Sequence, residues 1–228
     1  TVFVFASMLA YSTQDLILEP YAGAHFGFTP GESTALSGIQ HGGTLAGMLL
    51  AALAGGRVAG ARLGTLRAWT TGGCLASALA LLGIAASALF APHWPLRANV
   101  FALGVANGAF SIAAIASMMS LAGQGRAARE GTRMGLWGAA QAIGFALGGL
   151  FGAAASDLAR WTIGDTSTAY GSVFFFEALM FVASAALAAS IGGSPRSTPA
   201  EPDGTAPRSS RLAHPNTELA GLPAGRTP

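Results

Sequence analysis

Charge is what this chain has least of. Only 10% of its 228 residues are Asp, Glu, Lys or Arg, against roughly 25% in a soluble domain. It therefore lacks the polar surface needed to face water on all sides. No lysine occurs, and all twelve basic residues are arginine. The formal net charge of +2 is too small to draw a nucleic acid. The single cysteine, Cys74, excludes an internal disulfide and leaves no thiolate cluster for a metal. Four scattered histidines build no hydrolytic triad or ligand cluster, and there is no phosphate loop, so an enzyme is not expected. The opening run Val2 to Tyr11 is apolar, without a basic n-region or a small-residue cleavage site. It does not read as a signal peptide, and the chain reads as a piece of a longer polypeptide.

What is present in quantity is apolar sequence, 52% of the residues, with a mean hydropathy of +0.51. It is gathered into stretches near the ~18 residues that read as a membrane span. The pattern predicts an all-α, polytopic membrane bundle of six transmembrane helices in residues 1–191. The segments run Thr1 to about Leu18 (stopping near Pro20), Ser33 to Ala54, Trp69 to Phe90, Leu96 to Leu121, Met134 to Ala155, and Tyr170 to Ile191. Thr29-Pro30-Gly31-Glu32 fits a capping box ahead of the second segment. From Gly192 onward, Pro, Ser, Gly and scattered charge predict a disordered tail, 192–228.

Ten of the twelve arginines fall on one side: Arg57, Arg62, Arg67, Arg126, Arg129, Arg133 and four in the tail. Arg97 and Arg160 lie opposite. The asymmetry places the tail in the cytoplasm and starts segment one there. Trp94, Trp161 and Tyr170 then fall at the outer interface, and Trp69 and Trp137 at the inner one. The pairs Gly43/Gly47, Gly104/Gly108, Gly144/Gly148 and Gly148/Gly152 have the four-residue spacing that lets helices approach in lipid. Chance alone yields such pairs in a chain with 32 glycines, so each has even odds of marking a contact.

Polar residues inside apolar segments are the candidate site. Asp15 and Glu19 are four apart, so they share a helix face, beside Gln14. Each carboxylate at mid-bilayer costs about 2.5–3.5 kcal/mol, and two together favour a shared proton. They either face a cavity or mark the headgroup region, as Pro20 would suggest. His41, beside Gln40, lies two turns into segment two; it is either bonded to a neighbouring helix or a ligand to a metal such as the magnesium of a chlorin ring. Glu177 is isolated in segment six, with Asn107 or Gln141 as expected partners, or else protonated and hydrogen-bonded. His25 and His93 are expected in outer turns, solvated.

Gln14-Asp15-Leu16-Ile17-Leu18-Glu19-Pro20-Tyr21, Thr29-Pro30-Gly31-Glu32-Ser33-Thr34 and Leu36-Ser37-Gly38-Ile39-Gln40-His41-Gly42-Gly43 resemble the PucC-type proteins. Those form the bacteriochlorophyll delivery family of the major facilitator superfamily. Arg97-Ala98-Asn99-Val100, Gly104-Val105-Ala106-Asn107-Gly108-Ala109-Phe110 and Arg133-Met134-Gly135-Leu136-Trp137-Gly138-Ala139-Ala140-Gln141 extend the likeness, which covers about residues 1 to 191. The resemblance implies twelve helices in two halves, this chain matching the C-terminal half, with the N-terminal half as a partner. It implies a role in light-harvesting complex assembly in a photosynthetic bacterial inner membrane, with bacteriochlorophyll as cargo and antenna polypeptides or pigment-synthesis enzymes as partners. Asp15, Glu19 and His41 would line a groove between the halves, with His41 as axial ligand to the pigment magnesium. The superfamily's loop signature is degenerate at Gly56-Arg57-Val58-Ala59-Gly60-Ala61, which fits a carrier or chaperone better than a gated transporter. The alternatives are a proton-coupled secondary transporter of a small solute, working through Asp15, Glu19 or Glu177, and a scaffold binding antenna helices without pigment.

Overall fold

A computed structural model describes residues 2–55, 65–90, 93–122 and 130–191. They form six helices: α1 (Val2–Phe26), α2 (Pro30–Gly55), α3 (Leu66–Phe90), α4 (Leu96–Ala122), α5 (Glu130–Ile163) and α6 (Thr166–Ile191). Arg57, Arg62, Arg126, Arg129, the degenerate loop signature and the expected tail lie outside the described residues.

The helix ends follow from local chemistry. Thr29 caps α2: its N–H donates to Glu32 Oε2 at 2.9 Å, while the Glu32 N–H reaches back to Thr29 Oγ1. Thr65 Oγ1 accepts from the Ala68 N–H at 3.2 Å to open α3. Asp165 Oδ2 accepts from the Thr168 N–H at 2.8 Å to open α6. α1 ends at Gly27, whose φ of 68° turns the chain so that the Phe28 N–H bonds the Ala22 carbonyl at 3.3 Å.

Two boundaries differ from the sequence expectation. Pro20 does not stop the first helix. It removes one backbone donor, but Leu18, Tyr21 and Ala22 on either side are packed into the core, and that packing holds the helix to Phe26. The stretch holding Asp157, Arg160 and Trp161 is the last turns of α5, not a connection. With 34 residues, α5 is about 51 Å long at 1.5 Å per residue, well beyond a ~30 Å hydrocarbon core. Trp161 is exposed, as an interfacial residue should be, but Tyr170 is buried in an aromatic cluster with Tyr21.

The surface is not a water-facing one. Leu45, Leu49 and Leu53 on α2, Leu79 and Leu89 on α3, Leu150 and Phe151 on α5, and Phe175, Phe176 and Leu179 on α6 all point outward. Four helices, α3 to α6, are long and apolar enough to cross a membrane. α1 and α2 are of comparable length, 25 and 26 residues, and carry the polar runs. The chain is a helical membrane bundle.

Its broadest interfaces are α2–α4, α3–α6, α1–α5 and α3–α4. Exchanging α1, α2, α3 for α4, α5, α6 carries α2–α4 onto α5–α1 and leaves α3–α6 in place. A repeated motif underlies this. Gln40-x-x-Gly43-x-x-x-Gly47 on α2 recurs as Gln141-x-x-Gly144-x-x-x-Gly148 on α5. Both copies make the close contact. A Cβ at Gly43 would stand 2.5 Å from the Phe101 carbonyl oxygen, and one at Gly148 2.5 Å from that of Leu9. Cβ atoms at Gly47, Gly104 and Gly108 would overlap backbone outright, and one at Gly152 would reach Thr13 at 3.1 Å. Each of the four glycine pairs therefore marks a real contact. Thr13 Oγ1 adds a bond to the Gly148 carbonyl at 2.9 Å and Ser12 Oγ one to that of Phe145 at 2.8 Å.

Candidate functional site

α1 and α2 touch lightly along a stripe that is polar on both sides. From α1 come Tyr11, Asp15 and Glu19, at successive four-residue steps, which puts them on one face. From α2 come Ser37, His41 and Thr44. Ser37 Oγ donates to Glu19 Oε1 at 2.5 Å. Tyr11 lies beside the Thr44 side chain. Asp15 is close enough to His41 and to Glu19 to interact with both electrostatically. Three of the residues singled out from sequence, Asp15, Glu19 and His41, are thus brought together.

Asp15 and His41 are exposed on the outside of the seam while Glu19 is half-buried. With α1 running on to Phe26, Asp15 lies mid-helix and Glu19 two turns short of the helix end, so neither marks where the helix stops. His41 Nδ1 lies 2.8 Å from the Ser37 carbonyl oxygen. A carbonyl only accepts, so Nδ1 carries the hydrogen, and in the neutral ring the Nε2 lone pair points away from that bond. This is the tautomer a metal ligand requires. Among the described residues, no three His, Cys, Asp or Glu side chains cluster as a metal site of their own.

The other sequence candidates are elsewhere. Gln14 and Gln40 are fully buried, and neither carboxamide has a hydrogen-bond partner. Glu177 is fully buried with both oxygens unpartnered. The expected bond to Asn107 or Gln141 is not made: Asn107 Oδ1 accepts from Ser77 Oγ on α3 at 2.8 Å, and Asn107 Nδ2 has no partner. Gln141 is half-buried on α5, the helix held against α1 by Ser12 and Thr13.

His25 departs from the expected solvated turn. It belongs to α1, stacks on Tyr21 at 5.3 Å, bonds Ser167 through Nδ1, and places Nε2 3.2 Å from the Ser87 carbonyl oxygen. Tyr21 OH meets Ser87 Oγ at 2.6 Å. This latch ties the ends of α1, α3 and α6. Ser37, which orients His41 and holds Glu19, was also missed. Its four-residue spacing from His41 was the signal available.

The chain matches the PUCC protein family over residues 1–194. It is 53% identical over 191 residues to the "Bacteriochlorophyll synthase 44.5 kDa chain" of Rhodobacter capsulatus, covering 84% of this chain and 44% of that relative. To "Protein PucC" of the same organism it is 33% identical over 184 residues, 78% of this chain and 38% of that one. A third protein of Rhodobacter capsulatus, described as lying in the puhA-bchM intergenic region, is 32% identical over 157 residues, covering 68% of this chain and 31% of its own length. The chain spans less than half the length of these relatives. No solved structure matches it.

Proposed function

The chain belongs to the PUCC protein family, and from that premise we propose that it is part of a membrane factor for light-harvesting complex assembly. Its α1–α2 seam holds bacteriochlorophyll in transit to antenna subunits. The observation that carries this reading is His41: an exposed imidazole at mid-helix, its Nδ1 committed to the Ser37 carbonyl and its Nε2 free. Such a nitrogen suits the axial position of a ring magnesium. Asp15 and Glu19 beside it offer acceptors to polar groups at the ring edge. The pigment is cargo here, not a resident cofactor, and the role is carriage rather than catalysis. The word synthase belongs to the relative's name.

On this reading the relatives' extra length supplies a second set of helices that closes the seam into a groove. The ten-to-two arginine asymmetry supports a cytoplasmic C-terminus in the photosynthetic inner membrane. The test is to purify the full-length protein from a phototroph and measure bound pigment. His41→Leu should lower pigment occupancy about tenfold, the scale of losing a metal's ligand environment. Unchanged pigment would remove His41 from the mechanism, and normal antenna levels in a gene deletion would reject the role. Proton-dependent solute flux into proteoliposomes, abolished by Glu177→Gln, would replace this reading with a transporter.

A further inference from the structure

Glu177 is a carboxyl group fully buried in the bundle, and the seam does not use it. Its surroundings can be located from contacts around it. Tyr21 on α1 meets Tyr170 on the antiparallel α6 with ring centroids 5.9 Å apart. Gln14 lies seven residues before Tyr21, and Glu177 seven after Tyr170. Seven residues are two turns on the same stripe, about 10 Å along each axis. The two side chains therefore share one depth on facing helices. On α4, Phe110 meets Phe181 of α6 at 6.2 Å. Asn107 is three residues before the first ring and Glu177 four before the second, which sets them level as well. Ser77 of α3 joins through its bond to Asn107 Oδ1.

Four helices thus bring Gln14, Ser77, Asn107 and Glu177 to one layer at mid-bundle, all fully buried or nearly so. Five polar atoms in this layer have no partner: Gln14 Nε2 and Oε1, Asn107 Nδ2, and Glu177 Oε1 and Oε2. No arginine reaches the layer among the described residues, since Arg67, Arg97, Arg133 and Arg160 all belong to the end turns of their helices. Asp15 and Glu19 turn toward α2. Other titratable groups on the facing helices are Cys74 on α3, three residues from Ser77, and Tyr11 and Tyr21 on α1, three and seven residues from Gln14, with Tyr11 beside Thr44 of α2.

We propose that this layer is a proton-binding site: Glu177 holds a proton as the neutral acid, with the carboxamides of Gln14 and Asn107 level with it on the facing helices. Donor and acceptor counting supports it. Ser77 already serves Asn107 Oδ1, so the layer offers carboxamide N–H donors but no hydroxyl for Gln14 Oε1. An ionised Glu177 would bury a charge with no countercharge in the layer, at a cost that drives buried groups to neutralise. A neutral acid can donate as well as accept, so it can serve a carboxamide oxygen and a carboxamide N–H alike. The site is separate from the pigment seam and does not depend on it.

Infrared spectroscopy of the intact protein in lipid nanodiscs at neutral pH tests this, using glutamate labelled with ¹³C at its side-chain carboxyl. The spectrum should contain the carbonyl stretch of a neutral carboxylic acid. That band should disappear in Glu177→Gln and remain in Glu19→Gln. A spectrum with glutamate carboxylate bands alone overturns the proposal, as does an acid band that survives in Glu177→Gln. If Glu177→Gln fails to fold, the labelled wild-type spectrum still decides: absence of any acid band refutes the site. Sodium titration supplies the competing outcome. A thermal midpoint that rises with sodium, together with a missing acid band, would make the layer a cation site instead.

Discussion

Asp165 serves two donors with one oxygen. Its Oδ2 accepts from the Thr168 N–H at 2.8 Å and from Thr168 Oγ1 at 2.6 Å, outside the membrane spans. These bonds favour the charged form, so the side-chain bond to Thr168 first, then the backbone bond, hold its carboxyl below the usual range. The sign follows. A depressed folded pKa stabilises the protein above the ordinary aspartate pKa, and the gain is lost as pH falls through the folded value. Thermal midpoints of wild type should fall more steeply with acid than those of Asp165→Asn; parallel curves would refute the cap. Thr29→Ala, which removes the hydroxyl side of the other cap, should cost about 1 kcal/mol in denaturant unfolding. The Thr29 cap was legible because it has the Thr-x-x-Glu order. Asp165-x-x-Thr168 has acid and hydroxyl reversed, and it passes for an ordinary connection. The partner of a buried side chain was less legible still. Asn107 is plainly polar in an apolar run, but whether it faces Ser77 or Glu177 depends on helix rotation, which sequence spacing within one helix does not set.

Among elements, the glycine seams decide how closely helices approach. Gly104→Leu or Gly148→Leu should push backbones apart and cost about 3 kcal/mol, the upper range for overpacking. Gly149→Ala is the control, since a Cβ there meets nothing within 4 Å. It should be neutral or stabilise by about 0.5–1 kcal/mol through helix propensity. Detergent-solubilised unfolding midpoints that fail to separate the two classes would show that the α2–α4 and α1–α5 contacts matter little. Spacing singled out Gly148 but gave its pairs only even odds of a contact; the facing helix decides it. Likewise, six apolar runs were readable as helices, yet two ends were not. Proline signals a stop only when packing beyond it is weak, and Leu18, Tyr21 and Ala22 are buried. The charges at Asp157 and Arg160 look like a loop, but they pair with each other on one helix face and leave the backbone helical.

For the molecule as a whole, six alternating spans place Thr65 and Thr166 at opposite membrane faces. Cysteines introduced at these positions, probed with an impermeant thiol reagent on intact cells, should react from outside at 166 and stay silent at 65. Native Cys74 is buried and should not interfere. Labelling at 65 alone would invert the orientation that the arginines specify. The bundle's lipid-facing character was readable because composition reports it directly. The division into two three-helix sets was not, because it is written in six scattered positions and one shared spacing.

Backbone approaches backbone between α2 and α4, and at Gly148 between α1 and α5, which leaves little in these seams that can rearrange. Each pair behaves as a welded beam. The thinner joints run between the beams, at α1–α2 and α4–α5, so thermal breathing concentrates there. Asp15 and His41 lie on the first of those joints, where a small parting of two stiff members would widen the opening beside the imidazole without unwinding a single turn.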